Sequence, residues 1–123
     1  MTTERVFTVD EADAELDELR ERLPRLRAAR KDLIASSQRI TDAVATDGGG
    51  VAGTDWFAHQ ETLKNEVVYL ADRGIILRDP DIGLVDFPAE REGRRVFLCW
   101  RLGEDEVAWY HEATGGFGGR RPL

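Results

Sequence analysis

Apolar residues in the first part of the chain recur at spacings of three, four and seven positions, as expected for one face of an α-helix. Thr8 and Glu11 form a capping-box pattern, in which each side chain can bond the other residue's backbone N–H, and this predicts the helix start. Pro24 lies inside the pattern, but the stripe keeps its phase across it. We therefore expect a kink near Arg20–Pro24 rather than two separate helices. The stripe consists of Ala12, Leu16, Leu19, Leu23, Leu26, Leu33, Ile40 and Val44.

A second apolar stripe follows the glycine-rich segment Asp47–Gly53, which we interpret as a flexible loop. The stripe predicts a helix that begins at Thr54 or Asp55 and ends at Gly74, a residue type that commonly terminates helices. Two long helices joined by a short loop are expected to fold back on each other. The sequence thus predicts a long antiparallel helical hairpin over about residues 8–74.

After Gly74 the apolar period changes to two, which is typical of β-strands. The pattern predicts strands at Leu84–Phe87, Arg94–Arg101 and Val107–Glu112, with short turns between them. Strands joined in this way form an antiparallel meander. The glycine- and arginine-rich segment Gly115–Leu123 is interpreted as a tail without regular structure.

The predicted fold is therefore α+β in a single domain of 123 residues. It comprises the helical hairpin, then a three-stranded antiparallel β meander and a Gly/Arg-rich tail over about residues 75–123. Alternation along Arg94–Arg101 places Phe97 and Cys99 on one face and Val96, Leu98 and Trp100 on the other. Both faces are apolar, so we expect the helices to cover one, and the tail, a second copy of the chain or a ligand to cover the other.

Charge and cysteine content narrow the functional classes. The formal net charge of −7 disfavours general binding to nucleic acid or anionic membranes, which requires a surplus of Lys and Arg. No apolar run approaches the roughly 20 residues that cross a bilayer. Cys99 is the only cysteine, and the first residues do not resemble a secretory signal, so we expect a cytoplasmic protein.

Four residues near the predicted sheet have side chains that bind metals or transfer protons. Cysteine, histidine and carboxylate together suit zinc or a similar ion. None of these residues has the short spacing of a known metal motif, and ordinary roles as a buried thiol, an ion pair or an edge residue remain open. A Cys–His nucleophilic pair is a further alternative. The candidate metal ligands are Asp86, Cys99, His111 and Glu112.

Arginines are also concentrated in this half of the chain, and the planar guanidinium group suits carboxylate or phosphate. One hypothesis is therefore a pocket for a small anionic ligand. The structural alternative is that Arg120 or Arg121 holds the tail in place by pairing with Asp86, Glu104 or Glu112. The candidate ligand-binding residues are Asp86, Arg94, Arg101, Glu104, His111 and Arg120.

An ordered series of short motifs covers nearly the whole chain. It begins with Phe7-Thr-Val-Asp-Glu-Ala and continues through Gly74-Ile-Ile-Leu-Arg-Asp, Gly83-Leu-Val-Asp-Phe-Pro, Val96-Phe-Leu-Cys-Trp-Arg, Gly103-Glu, Trp109-Tyr-His-Glu and Gly116-Phe-Gly-Gly-Arg-Arg-Pro-Leu. In these motifs the chain resembles the DUF2203 family of small bacterial and archaeal proteins of unknown function. Because the function of the family is unknown, the resemblance supplies no reaction and no catalytic residues. It draws attention to Asp86, Cys99, Trp100, Arg101, Glu104, His111 and Arg120. One departure is Tyr110, which separates a Trp and a His that the family pattern places together.

Two functional hypotheses follow. The favoured one is a non-catalytic module that self-associates, as a homodimer, through the sheet face or the leucine stripe. The alternative is a protein that binds a small anionic ligand or a metal ion at the candidate residues, with an enzymatic role as one version of it. The sequence identifies no cofactor, substrate or macromolecular partner.

Overall fold

A computed structural model describes residues 5–47 and 54–123. Of the predicted glycine-rich loop, residues 48–53 lie outside this range. The helices are α1 (Val9–Asp13), α2 (Leu16–Asp47) and α3 (Thr54–Asp72). The strands are β1 (Ile76–Asp79), β2 (Leu84–Arg91), β3 (Arg94–Arg101), β4 (Trp109–Glu112) and β5 (Arg121–Pro122), with a 3-10 turn at Phe117–Gly119. The α+β class predicted from the sequence is confirmed.

Helix α1 begins with the predicted capping box. The Glu11 backbone N–H donates to Thr8 Oγ1 at 3.1 Å, and the Thr8 N–H donates to Glu11 Oε1 at 2.9 Å. The prediction of one continuous helix is wrong at Ala14 and Glu15, where a turn separates α1 from α2. Helix α2 then continues through Pro24.

Long-range contacts explain where the first helix is interrupted. The Asp13 carboxylate accepts a hydrogen bond from the Val107 N–H at 2.7 Å. Glu15 is buried and receives two hydrogen bonds from Arg73, at 2.7 and 2.6 Å. These contacts tie the turn to the end of α3 and to the segment before β4, and a helical stripe carries no information about such partners.

Helices α2 and α3 lie side by side and run in opposite directions. The buried carboxylate of Glu66 on α3 accepts hydrogen bonds from Arg22 and Arg25 on α2. Further along α2, the Asp32 carboxylate lies 3.8 Å from His59 Nε2. None of the helices in the described ranges combines the length and apolar character that a bilayer crossing requires.

Within the described residues the sheet has five antiparallel strands in the order β1-β2-β3-β4-β5, so the prediction of three strands is wrong. Strand β1 lies in a segment that was not predicted as a strand, and it ends at Asp79, where turn residues begin. Strand β5 has two residues and lies in the predicted irregular tail. Both strands are too short for an alternating pattern, and both are held by pairing with a longer neighbour.

Strand β2 also extends further than predicted, because it continues through Pro88 to Arg91. A proline fits here since β1 pairs only with the first part of β2, up to Asp86. Beyond that point one side of β2 is an edge, where no strand partner needs the missing N–H. The Pro88 carbonyl instead accepts a hydrogen bond from the Phe7 N–H at 2.7 Å. The predicted bounds of Arg94–Arg101 agree with β3, whereas the third predicted strand begins at Trp109 rather than Val107.

One face of the sheet packs against the helices and forms the hydrophobic core. The strand residues in this core are Val85, Phe87, Ala89, Val96, Leu98 and Trp100. The helix residues are Ala12, Leu16, Leu19, Leu23, Leu26 and Leu70. The opposite face, called here the outer face, carries Asp86, Phe97, Cys99, Trp109 and His111. Three of the four candidate metal ligands, Asp86, Cys99 and His111, lie on this face.

Candidate functional site

Three neighbouring strands bring Asp86, Cys99 and His111 together on the outer face. Asp86 on β2 lies directly opposite Cys99 on β3, and His111 on β4 lies opposite Phe97, two positions before Cys99. Their side chains are buried, with 1%, 1% and 3% of their surface exposed. One potential ligand atom from each residue lies within 4.8 Å of the other two. The strand register therefore creates a compact buried group, called here the Asp–Cys–His cluster.

Hydrogen bonds fix the orientation of the His111 ring. Its Nδ1 lies 2.7 Å from the backbone carbonyl oxygen of Glu112. A carbonyl can only accept, so Nδ1 carries the hydrogen and donates it. The other nitrogen, Nε2, lies 2.8 Å from Asp86 Oδ2. The ring also stacks on Phe97, with the ring centroids 5.5 Å apart.

Arg78 completes the surroundings of Asp86. Its Nε donates to Asp86 Oδ2 at 2.7 Å, on the same oxygen that faces His111. The second oxygen, Oδ1, is buried and has no hydrogen-bond partner among residues 5–47 and 54–123. A buried carboxylate oxygen without a partner raises the free energy of the folded state. An unpaired oxygen in a cluster of potential metal ligands therefore marks a position for a cation or for a hydrogen-bond donor.

Burial raises the pKa of the Cys99 thiol to about 11, and the charge of Asp86 adds to this effect. A hydrogen bond from Arg120, whose Nη1 lies 4.0 Å from Sγ, acts in the opposite direction. The thiol is therefore protonated at neutral pH, which disfavours the Cys–His nucleophilic pair. Both nitrogens of His111 are moreover already engaged, with Glu112 and Asp86.

The tail covers the outer face beside Cys99. Arg120 donates two hydrogen bonds to the Glu104 carboxylate, at 3.1 and 2.8 Å. Its guanidinium group lies over the rings of Trp109 and Phe117, 4.7 and 4.3 Å from their centroids. Planar pairing with a carboxylate together with stacking on aromatic rings suits arginine in particular. The segment that follows His111 thus forms a lid held in place by Arg120.

A cavity of about 260 Å³ lies between this lid and the sheet. Asp86 and His111 contribute to its wall, so the cavity adjoins two members of the Asp–Cys–His cluster. Its lining residues are Arg78, Leu84, Asp86, His111, Ala113, Thr114, Gly116 and Phe117.

A protein-family model described as "Uncharacterized conserved protein (DUF2203)" matches residues 5–123. The chain belongs to the DUF2203 family. The resemblance noted in the sequence motifs is thereby confirmed. No curated protein and no solved structure matches the chain. DUF2203 membership supplies no reaction or ligand, so the function of this DUF2203 chain has to be argued from its site.

The structure separates the candidate residues of this DUF2203 chain into groups. Asp86, Cys99 and His111 converge, whereas the Glu112 side chain points elsewhere and pairs with Arg94 at 2.7 Å. Glu104 and Arg120 form a second group beside Cys99. The remaining candidates do not join either group: Arg94 binds Glu112, and Arg101 is exposed, its backbone N–H donating to Glu104 Oε1.

Tyr110, which separates Trp109 from His111 in the sequence, does not disturb the site. It packs against the core, and Arg91 lies over its ring at 4.4 Å. Because strand alternation sends Tyr110 to the opposite face, Trp109 and His111 both remain on the outer face.

Arg78 is a charged site residue of this DUF2203 chain that the sequence pattern did not indicate. It follows the apolar run Ile75–Leu77 and lies at an irregularity in the pairing of β1 with β2, between Leu77 and Asp79. The apolar run after Gly74 could have indicated a strand. The pairing irregularity, which decides where Arg78 lies relative to Asp86, has no counterpart in the alternation.

Proposed function

We propose that this protein binds a divalent transition-metal ion, zinc or an ion of similar chemistry, at the Asp–Cys–His cluster. The observation that carries the proposal is the convergence of three different buried donor groups, one of which, the Asp86 carboxylate, has an unpaired oxygen, Oδ1. Thiolate, imidazole and carboxylate are the ligand types that zinc binds in proteins.

The distances within the cluster suit such an ion after small side-chain movements. Ligand atoms around tetrahedral zinc lie about 3.3–3.8 Å apart, because each ligand bond is about 2.0–2.3 Å long. The donor atoms of the Asp–Cys–His cluster lie within 4.8 Å of one another. Displacements of these donor atoms by about one ångström or less would bring them to coordination distance, and the strand register would not change.

Neighbouring groups hold the donors as they do around known metal sites. A histidine that ligates a metal usually donates its other N–H to a carbonyl or carboxylate, as His111 Nδ1 does to Glu112. Arg78 holds Asp86 through Oδ2, which leaves Oδ1 for the ion. In the metal-bound state the ion would also take the place of the hydrogen bond between Asp86 and His111 Nε2.

The charges also balance. A divalent ion with the Asp86 carboxylate and the Cys99 thiolate forms a neutral unit, which lowers the cost of burying charge. The charge of Arg78, which contacts Asp86, is then screened by solvent, because this side chain is partly exposed. Coordination deprotonates a thiol even where burial otherwise keeps the proton on it. The ligand role requires Cys99 in its reduced form, in agreement with the cytoplasmic location that we infer from the single cysteine.

Three protein ligands leave one position of a tetrahedral ion open. The cavity beside Asp86 and His111 supplies space for water or another small ligand at that position. This arrangement is typical of sites that exchange ligands, whereas purely structural zinc sites are closed by a fourth side chain.

Titration with Co²⁺ and Zn²⁺ tests the proposal. We expect one equivalent of Co²⁺ to bind with a thiolate-to-metal charge-transfer band, and Zn²⁺ to displace it. Cys99→Ser should abolish the band, and His111→Gln should weaken binding by at least about 100-fold, since even neighbouring groups contribute 10–100-fold.

Glu112→Gln is the matched control, because its side chain pairs with Arg94 outside the cluster and should leave affinity unchanged. Circular dichroism verifies that each variant is folded. Failure of the wild-type chain to bind either ion, or binding that survives both ligand substitutions, refutes the proposal.

A second candidate function is self-association through the helical hairpin. The chain's own tail lies on part of the outer sheet face, so the helices are the better surface for a second copy. Ile34 on α2 and Phe57 on α3 are 56% and 61% exposed, respectively. Their positions correspond across the antiparallel pair, two residues beyond the Asp32–His59 contact on each helix. Large exposed apolar side chains at the same level of two paired helices are candidates for a protein contact.

Sedimentation velocity tests this second function. We expect the wild-type chain to form a concentration-dependent dimer and the Ile34→Ser/Phe57→Ser double variant to remain a monomer. Arg27→Ser, on an exposed position of α2 outside this patch, is the control for a general effect of surface substitution. A wild-type chain that stays monomeric at high micromolar concentration rules out self-association.

A further inference from the structure

The cavity under the lid has walls of two kinds. Arg78, Asp86 and His111 provide polar atoms on the sheet side. Leu84 and Phe117 provide apolar surface. A small molecule with one charged end and one apolar end could make favourable contacts with both walls.

The charged wall is dominated by Arg78. Its Nε is used by Asp86, but Nη1 and Nη2 have no hydrogen-bond partner within the described ranges 5–47 and 54–123. The side chain is 43% exposed, and its guanidinium group lies 5.1 Å above the Phe97 ring. Asp86 thus holds the Nε edge of the guanidinium group and Phe97 lies against one face, so the plane of the group is restrained. The N–H groups of Nη1 and Nη2 remain for a ligand.

We infer that this cavity binds a small carboxylate with a short apolar body, its carboxylate on the free edge of Arg78 and its body against Leu84 and Phe117. A guanidinium edge with two parallel N–H donors matches the two oxygens of a carboxylate. The volume of about 260 Å³ lies just below the usual range of pockets for larger ligands, which begins at about 300 Å³.

Charge favours a carboxylate over a phosphate. A phosphate group carries up to two negative charges and is usually held by several cations or a helix N-terminus. Among the residues that the structure describes, Arg78 is the only arginine or lysine that lines the cavity, and Asp86 offsets its charge in the metal-free chain. The nearby Arg94 and Arg120 are engaged by Glu112 and Glu104.

This inference does not depend on metal binding, because it rests on Arg78 and the apolar wall rather than on the Asp–Cys–His cluster as ligands. Calorimetry on the chelator-treated chain at constant ionic strength tests it with sodium butyrate, acetate and inorganic phosphate. We expect saturable binding of butyrate, and acetate weaker by about tenfold because it lacks two methylene groups.

Four substitutions make the test specific. Arg78→Gln should weaken butyrate by at least tenfold, and Arg78→Lys, which keeps a positive charge beside Asp86, should weaken it less. Arg94→Gln should have no effect, since Arg94 pairs with Glu112 outside the cavity. Phe117→Ala should weaken butyrate but leave acetate unchanged.

The inference is overturned if butyrate does not bind the wild-type chain at millimolar concentration, if binding persists in Arg78→Gln, or if phosphate binds more tightly than butyrate. If cobalt binds but butyrate does not, only the proposed carboxylate site is refuted. If butyrate binds but cobalt does not, only the proposed metal site is refuted.

Discussion

The apparent affinity for zinc is expected to rise by about tenfold or more for each pH unit across the neutral range. Coordination requires the Cys99 thiolate, but burial holds the pKa of this thiol at about 11. The metal-free chain therefore carries a proton on Cys99 that the metal-bound chain lacks. Raising the pH favours the state with fewer protons, so affinity increases with pH and levels off only as the pH approaches the pKa of Cys99.

Competition with a chelator of known pH dependence measures this slope. Calorimetry in two buffers with different ionisation enthalpies counts the protons released, and we expect at least one per ion. The control is Cys99→Ser, in which the thiol proton is absent and the remaining affinity should show a smaller slope. An affinity that does not change with pH would contradict coordination by Cys99.

Replacing Trp100 with alanine is expected to lower the free energy of unfolding by about 3–5 kcal/mol. The side chain is 0% exposed and belongs to the core between the sheet and the helices. Its Nε1–H also donates to the Glu104 carbonyl at 3.0 Å. The substitution removes a large volume from a packed core and leaves that carbonyl without its donor. For a domain of ordinary stability this loss is a large fraction of the total.

Urea denaturation followed by circular dichroism tests this value. Trp56→Ala is the matched control, because Trp56 is only half-buried on α3 and lies outside the hydrophobic core. We expect Trp56→Ala to lower the free energy of unfolding by less than half as much as Trp100→Ala. Trp100→Phe separates the two effects, since it keeps most of the volume but removes the N–H. A loss below about 1 kcal/mol in Trp100→Ala would show that the core can close around the missing side chain.

Local patterns predicted the parts of the fold that depend on neighbouring residues. The capping box at Thr8 and the bounds of Arg94–Arg101 agree with the structure because both are set by chemistry within a few positions. The turn at Ala14 and Glu15 and the short strands β1 and β5 depend on distant partners. No periodicity within those segments encodes these partners.

The candidate site also combines features that neighbouring residues determine with features that depend on distant partners. Alternation assigned Cys99 to one face of its strand, and residue chemistry named Asp86, Cys99 and His111 as candidate metal ligands. Their convergence depends on the register of β2, β3 and β4, which the turns between them determine. Arg78 was not among the candidates because the pattern predicted no strand between Gly74 and Leu84. Thus residue types indicated the chemistry, whereas only the structure supplied the distances.

The three tryptophans occupy three separate layers of the molecule: Trp56 on the helical pair, Trp100 in the core and Trp109 under Arg120 on the outer face. This distribution gives the chain a set of built-in fluorescent probes. Because Trp109 lies opposite Cys99 in the sheet, its emission is expected to respond to movement of the lid and to binding at the proposed sites. Variants that retain a single tryptophan would thus let one optical measurement follow the helices, the core or the site independently.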